Sequence, residues 1–177
     1  MIRIATLDDI PVIQEIAYHT WPTTYGGIIS EEQIRYMLDL MYSTESLVQQ
    51  MSKGHQFFLM ESDITINSDH SIHTNATAEQ KVLGFASVSD EGNGIFKLNK
   101  LYVLPAAHKT GTGKALLNTV KAYAVQNGGK ELILQVNKQN PAIAFYKSQG
   151  LSIKSENIFE LNHGFIMDDY TMGISLS

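Results

Sequence analysis

Two glycines, two positions apart and flanked by lysines, stand in the stretch His108–Lys114 (HKTGTGK), between the β-branched and aromatic run LYVLP and the helix-forming ALL. Residues of this kind in this order suit an anion. A helix beginning at the loop leaves its first amide N–H groups without intrahelical acceptors. Those donors, with the positive end of the helix dipole, can hold a phosphate or diphosphate. Gly111 and Gly113 let the main chain come close to such a ligand, and Lys109 and Lys114 add charge. A plain turn before a helix uses glycine in the same way, so the loop alone leaves its ligand open. Two nucleotide signatures do not fit. A P-loop requires GxxxxGK followed by Ser or Thr, whereas Gly113-Lys114 is followed by Ala115 and no glycine stands five residues before Gly113. A dinucleotide fingerprint requires a third glycine where Leu116 stands.

Further along, LQVNKQNPAIAFYKSQGL carries Asn137, Asn140 and Tyr146. Asn140 before Pro141 is a favoured helix N-cap, and Tyr146, with an ordinary phenol pKa of about 10, is a proton donor at neutral pH. DHSIH (Asp69, His70, His73) has a spacing that could bind metal, but it sits in a polar stretch without a rigid scaffold, so no metal is expected. The chain has no cysteine, which excludes disulfides, zinc-thiolate sites and thiol nucleophiles. Thirteen Lys and Arg against 18 Asp and Glu give a net charge of −5, a field that repels nucleic acid and anionic membrane and mildly favours a cationic or amine substrate. The N-terminus lacks the apolar core of a signal peptide and no apolar run approaches the roughly 18 residues of a membrane helix, so a cytoplasmic protein is expected.

The elements that must position these groups read as one domain over residues 1–177, since 177 residues with 44% apolar side chains suffice for one core and hardly for two. Met1 to Ala5 is a short strand. A helix starts at Thr6–Asp9, carries Ile10, Ile13, Ile16 and Ala17 on one face, and is expected to close at Trp21-Pro22. Ser30 caps a second helix, with Gln33 three residues on, and a third runs from Thr44 to Met51. Strands follow at Gln56–Glu61, Val82–Ser89 and Ile95–Val103, with residues 62–81 a polar, exposed excursion. Helix Ala115–Val125, strand Glu131–Val136 and helix Pro141–Ser148 come next, then closing strands at Leu151–Ile153, Ile158–Leu161 and Phe165–Leu176. This order predicts a mixed α/β (α+β) sheet of about six or seven strands, mostly antiparallel and flanked by helices.

LYVLPAAHKTGTGKALL resembles the acyl-coenzyme A loop of the GNAT superfamily of N-acetyltransferases, patterned Gln/Arg-x-x-Gly-x-Gly/Ala between a strand and a helix. LQVNKQNPAIAFYKSQGL is similar to the superfamily's next element, in the expected order, and the resemblance covers nearly the whole chain. The segments TW…TY…ISEEQ and FELNHGFIMDDYTM resemble the bacterial spermidine/spermine acetyltransferase type. The resemblance implies a twisted sheet with a splayed strand pair and direct transfer of an acetyl group from acetyl-CoA to a primary amine, small or peptide-borne, in a ternary complex.

It also implies roles. The diphosphate lies on amides of His108, Lys109, Thr110, Gly111, Thr112, Gly113 and Lys114, with His108 standing where Arg or Gln is usual. The pantetheine arm pairs with main-chain groups of Leu101, Tyr102 and Val103, where a β-bulge is expected, and the amide of Leu101 polarises the acetyl carbonyl. Asn140 bonds the arm, Asn137 closes the strand end, and Tyr146 protonates the departing thiolate. At the positions where relatives carry a basic Glu stand Asn99 and Gln135, which accept no proton. The base would then be water relayed to Glu31, Glu32 or a backbone carbonyl, or the amine would arrive neutral. Trp21, Tyr25 and Tyr36 would line the acceptor pocket. The missing carboxylates also admit a non-catalytic acyl-CoA sensor on the same fold. The identity of the amine and dimerisation stay open.

Overall fold

Alternating apolar residues build the strands, and the alternation sorts the core into two layers. The computed structural model describes residues 1–62 and 81–176. Among the described residues seven strands form one sheet: β1 (Ile2–Ile4), β2 (Gln56–Glu61), β3 (Val82–Gly92), β4 (Ile95–Val103), β5 (Glu131–Asn137), β6 (Ser152–Glu160) and β7 (Ile166–Ser175). Their order is β1-β2-β3-β4-β5-β7-β6, with β4 and β5 parallel and the other neighbours antiparallel. The expected excursion at 62–81 lies, apart from its two ends, outside the described residues, and Asp69, His70 and His73 lie outside them with it.

On one face α4 (Thr112–Gln126) and α5 (Ala142–Ser148) pack Leu116, Leu117, Val120 and Tyr146 against Leu98, Leu132, Leu134 and Met172. On the other, α1 (Ile10–Tyr25), α2 (Glu31–Tyr42) and α3 (Thr44–Ser52) pack Ile13, Ile16, Trp21, Met37 and Leu47 against Phe57, Leu59 and Phe85. Each such buried aliphatic side chain contributes on the order of 1.5–3 kcal/mol.

Two expectations about element ends are corrected. α1 does not stop at Trp21-Pro22 but runs through Pro22 to Tyr25. The bond that Pro22 cannot make is the one to the carbonyl of Tyr18, an exposed residue, so water can serve that carbonyl. The helix resumes beyond it, the Gly26 amide donating to the Pro22 carbonyl at 2.9 Å. The short strands expected at Leu151–Ile153 and Ile158–Leu161 are one strand, β6. β6 is an edge strand with polar Lys154–Asn157 at its middle, so neither face shows the period-two pattern by which a half-buried strand is recognised.

The sheet opens between β4 and β5. They pair only from Ile95 with Glu131 to Leu98 with Leu134, and beyond that β5 keeps only β7 as a neighbour. The opening starts at a bulge. Ser87 of β3 faces Lys100 and Val88 faces Leu98, leaving Asn99 as the extra residue of β4. The bulge expected from the resemblance is therefore present, and it bends β4 away from β5.

Candidate active site

The opening between β4 and β5 continues into a cleft of about 860 Å³, bounded by α1, α2, the loop before α4 and the start of α5. At one end lies the glycine loop. Gly111 precedes α4 with φ +87°, a conformation that suits glycine, and α4's first turn has no side-chain cap. The Ala115 amide already donates to the Gly111 carbonyl. The amides of Thr112, Gly113 and Lys114 therefore stand without intrahelical acceptors, and Gly113 and Lys114 line the cleft. A Cβ on Gly111 would meet nothing within 4 Å, whereas one on Gly113 would touch Phe145 at 3.6 Å and Val103 at 3.9 Å, ordinary contacts.

Not every loop residue faces the cleft. Lys109, Gly111, Gly113, Lys114 and His108 line it, while Thr110 and Thr112 do not. The Thr110 hydroxyl donates to the Ala107 carbonyl at 2.7 Å and sits 2.9 Å from that of Thr112, so the two side chains brace the loop from within. The His108 amide donates to Pro105, which leaves it unavailable to a ligand. Its ring Nε2 lies 2.9 Å from the Val103 carbonyl, tying the loop back to β4.

The edge of β4 from Leu101 to Val103 lines the cleft and, past Leu98, has no strand beside it on the β5 side. Tyr146 also lines it and is 8% exposed. Burial pushes its phenol pKa up, with Tyr25 raising it further, so the hydroxyl keeps its proton across the neutral range. Phe145, its neighbour on α5, lines the cleft as well, against Gly113. Consecutive helical residues diverge, and the cleft is wide enough at this point to meet both.

Asn140 and Asn137 are at the cleft, both already bonded. Asn140 Oδ1 accepts from the Ala142 amide at 2.8 Å and its Nδ2 donates to the Tyr25 hydroxyl at 3.4 Å. Asn137 Oδ1 accepts from the Gln139 amide at 2.9 Å. The cap role of Asn140 is thus real, and the same side chain reaches Tyr25. The Tyr25 hydroxyl is 3.1 Å from that of Tyr102, so three elements meet at one oxygen. Trp21, one turn before Tyr25, packs against it with ring centroids 4.4 Å apart and planes tilted by 42°, and also lines the cleft.

Asn99 and Gln135 line the cleft, Asn99 donating to the Ser89 hydroxyl at 2.9 Å and Gln135 accepting from Lys97 Nζ at 2.9 Å. Glu31 and Tyr36 do not. Glu31 is on the outer side of α2 with a side chain 90% exposed, 3.7 Å from Arg35, and Tyr36 packs against His163 and Phe165. Glu31 and Glu32 form the exposed, acidic first turn of α2, where a carboxylate complements the helix dipole.

The carboxylate at the cleft is one the sequence reading passed over, Asp169. It sits on β7 opposite Asn137, is 2% exposed, and among the described residues is the one Asp or Glu lining the cleft. Burial, with Asp168 beside it, raises its pKa to about 6, and Lys97 pulls the other way. It sits in the phrase FIMDDYTM, where Tyr170 and Met172 mark the core face of the strand. Alternation therefore places Asp169 opposite to them. Its pairing with Asn137 joins residues 32 apart and has no local signal.

The arrangement holds unpaired helix-start amides, an open strand edge, a protonated phenol and a buried carboxylate with a raised pKa, all in one cleft. Residues 34–151 match the acetyltransferase (GNAT) family. A spermidine N(1)-acetyltransferase of Thermoplasma acidophilum is 27% identical over 154 residues, 86% of this chain and 88% of that protein. YuaI of Bacillus subtilis, an uncharacterized N-acetyltransferase, is 27% identical over 164 residues, 90% of this chain and 84% of that one. Among solved structures, the PaiA N-acetyltransferase of T. acidophilum in complex with coenzyme A superposes with a TM-score of 0.75 at 24% identity, over 99% of this chain and 98% of that one.

Proposed function

The chain belongs to the acetyltransferase (GNAT) family, and from that premise we propose that it transfers the acetyl group of acetyl-CoA directly to an amine bound in the β4–β5 cleft, with Tyr146 as acid and Asp169 as base. The observation that carries this reading is the union of two unsatisfied surfaces in one cleft: the open amides of Gly113 and Lys114, and the open edge of β4. The first suits a diphosphate, the second an extended amide-bearing arm that adds to the sheet as a strand would. The complex of the T. acidophilum relative with coenzyme A supports the same ligand here.

When bound, the thioester supplies an activated acyl carbon. The residues of this chain do the rest. The Leu101 amide is assigned to the carbonyl oxygen, where a fixed donor counts most as charge develops. Asp169 takes a proton from the incoming ammonium, so that a neutral nitrogen forms the C–N bond as the C–S bond breaks. Tyr146 gives its proton to the departing sulfur and regains one from the new amide nitrogen. One proton is released overall, through Asp169.

Calorimetry with coenzyme A and a thiol-release assay with a panel of amines test the reading together. Binding near micromolar strength and amine-stimulated thiol release are expected. No heat on titration, or binding with no turnover on any amine, would end it.

A further inference from the structure

This inference rests on the reading above and concerns what the acceptor is. Beyond Asp169, the cleft wall between α2 and β7 is formed largely by Ile29, Met37, Met41, Ile166 and Met167. Such a wall favours an apolar body, and methionines adapt to its shape. The charges along the cleft floor are the reverse of what a polycation needs. Lys97 and Lys100 both line it, and among the described residues neither pairs with a carboxylate. Lys97 donates to Gln135. Lys100 donates to Gln50 Oε1 at 2.7 Å beneath α3, its ammonium lying 5.3 Å from the Tyr42 ring and 5.9 Å from that of Phe57. Burial brings its pKa down to about 8, which leaves it cationic at neutral pH.

We propose that the acceptor is a primary amine with a single positive charge on an apolar body, its ammonium against Asp169 and its body along Met37 and Met41, and that Lys100, bonded to the Gln50 side chain that also reaches the Met41 carbonyl, turns away amines with a second cationic centre. A polyamine would bring two or more ammonium groups into a cleft offering, among the described residues, one carboxylate, and a far ammonium would meet a lysine, where like charges repel. This distinguishes the chain from the spermidine acetyltransferase to which it is similar.

Hexylamine and 1,6-diaminohexane differ only by the second amine and make the comparison direct, with spermidine as a third probe. Thiol release should favour hexylamine over the diamine by about tenfold in kcat/KM, the scale of one such repulsion, and spermidine should be poorer still. Calorimetric titration of the coenzyme A complex gives a readout apart from turnover, and the same order of affinity is expected. Lys100→Gln should narrow the gap between the two C6 amines at least threefold by selectively improving the diamine. A diamine or spermidine equal to or better than hexylamine, or a gap unchanged in the variant, overturns the proposal while leaving the acetyltransferase reading intact. Thiol release with none of the amines overturns both.

Discussion

In the proposed reaction Asp169 and Tyr146 have opposite tasks, and burial suits both. Desolvation disfavours the charged form of each, which lifts a carboxylate toward neutrality and keeps a phenol protonated. The groups facing Asp169 are Asp168 beside it, Lys97 on β4 and Tyr25 on α1. With its pKa near 6, the base is lost as pH falls, so kcat/KM should drop below about pH 6. Asp169→Asn should lower kcat by about 100-fold, the scale of general acid–base catalysis, and remove that acidic limb from the residual rate; a limb that persists assigns it elsewhere. Tyr146→Phe should lower kcat by a similar factor and leave coenzyme A affinity within about twofold, since the proposed role of the hydroxyl lies in the chemical step and not in holding the coenzyme. Calorimetry alongside steady-state kinetics checks both halves. At this scale the sequence was legible in part. Tyr146, Gly111, Gly113 and Leu101 stand in local motifs, and all four line the cleft. Asp169 escaped because its neighbours there, Asn137 and Lys97, come from other strands. Glu31 and Tyr36 were drawn in by type alone, and helix phase turns both away from the cleft.

Among the elements, the loop and α4 allow the fold's needs to be separated from the ligand's. Gly111 is held at φ +87°, so alanine there should cost about 1 kcal/mol of stability from backbone strain. Gly113 lies inside the first turn of α4, and its added Cβ would make only ordinary contacts. Gly113→Ala should therefore keep or raise the melting temperature, since alanine favours helix by up to about 1 kcal/mol. It should nonetheless weaken coenzyme A binding at least tenfold, because the methyl enters the space above the open amides. Thermal unfolding and calorimetry on the same sample decide this, and unchanged affinity would move the diphosphate off the loop. α1 shows where pattern reading fails at this scale. Proline read locally ends a helix, but Pro22 faces solvent, and the helix carries on to put Tyr25 one turn after Trp21 and against Tyr102. The strand Ile95–Val103 was legible to the residue because its burial alternates, and Gln56–Glu61 because Phe57–Met60 is a short apolar run between polar residues, buried on both faces. β6 was not, because an edge strand with polar residues at its middle does not.

The molecule as a whole carries a tension between stability and this site. A carboxyl whose pKa is raised on folding favours the folded state below about pH 4, and that contribution fades as pH rises toward 6. At neutral pH the ionised Asp169 therefore weighs against folding. Asp169→Asn should stabilise the protein by about 1–2 kcal/mol at pH 7.5 and hardly at all at pH 4. Chemical denaturation at the two pH values measures it, and a loss of stability at pH 7.5 would show that the carboxylate is held by contacts asparagine cannot replace. Asp9 has the opposite sign. Its hydrogen bonds to Arg3 hold it near 2, so its share of stability is present above pH 4 and declines as the pH falls toward 2. The topology was legible in outline from the order of helices and strands, whereas the place where the sheet parts was known only through resemblance.

That parting has a simple origin. Asn99 is a supernumerary residue: without it, Lys100 would follow Leu98 in step with Ser87 after Val88, and every later side chain of β4 would already point to its present side. The insertion thus leaves inside and outside as they are and acts as a wedge. Its removal should let the two parallel strands zip together past Leu98, giving a protein that melts no lower than its parent and has nowhere to admit a substrate.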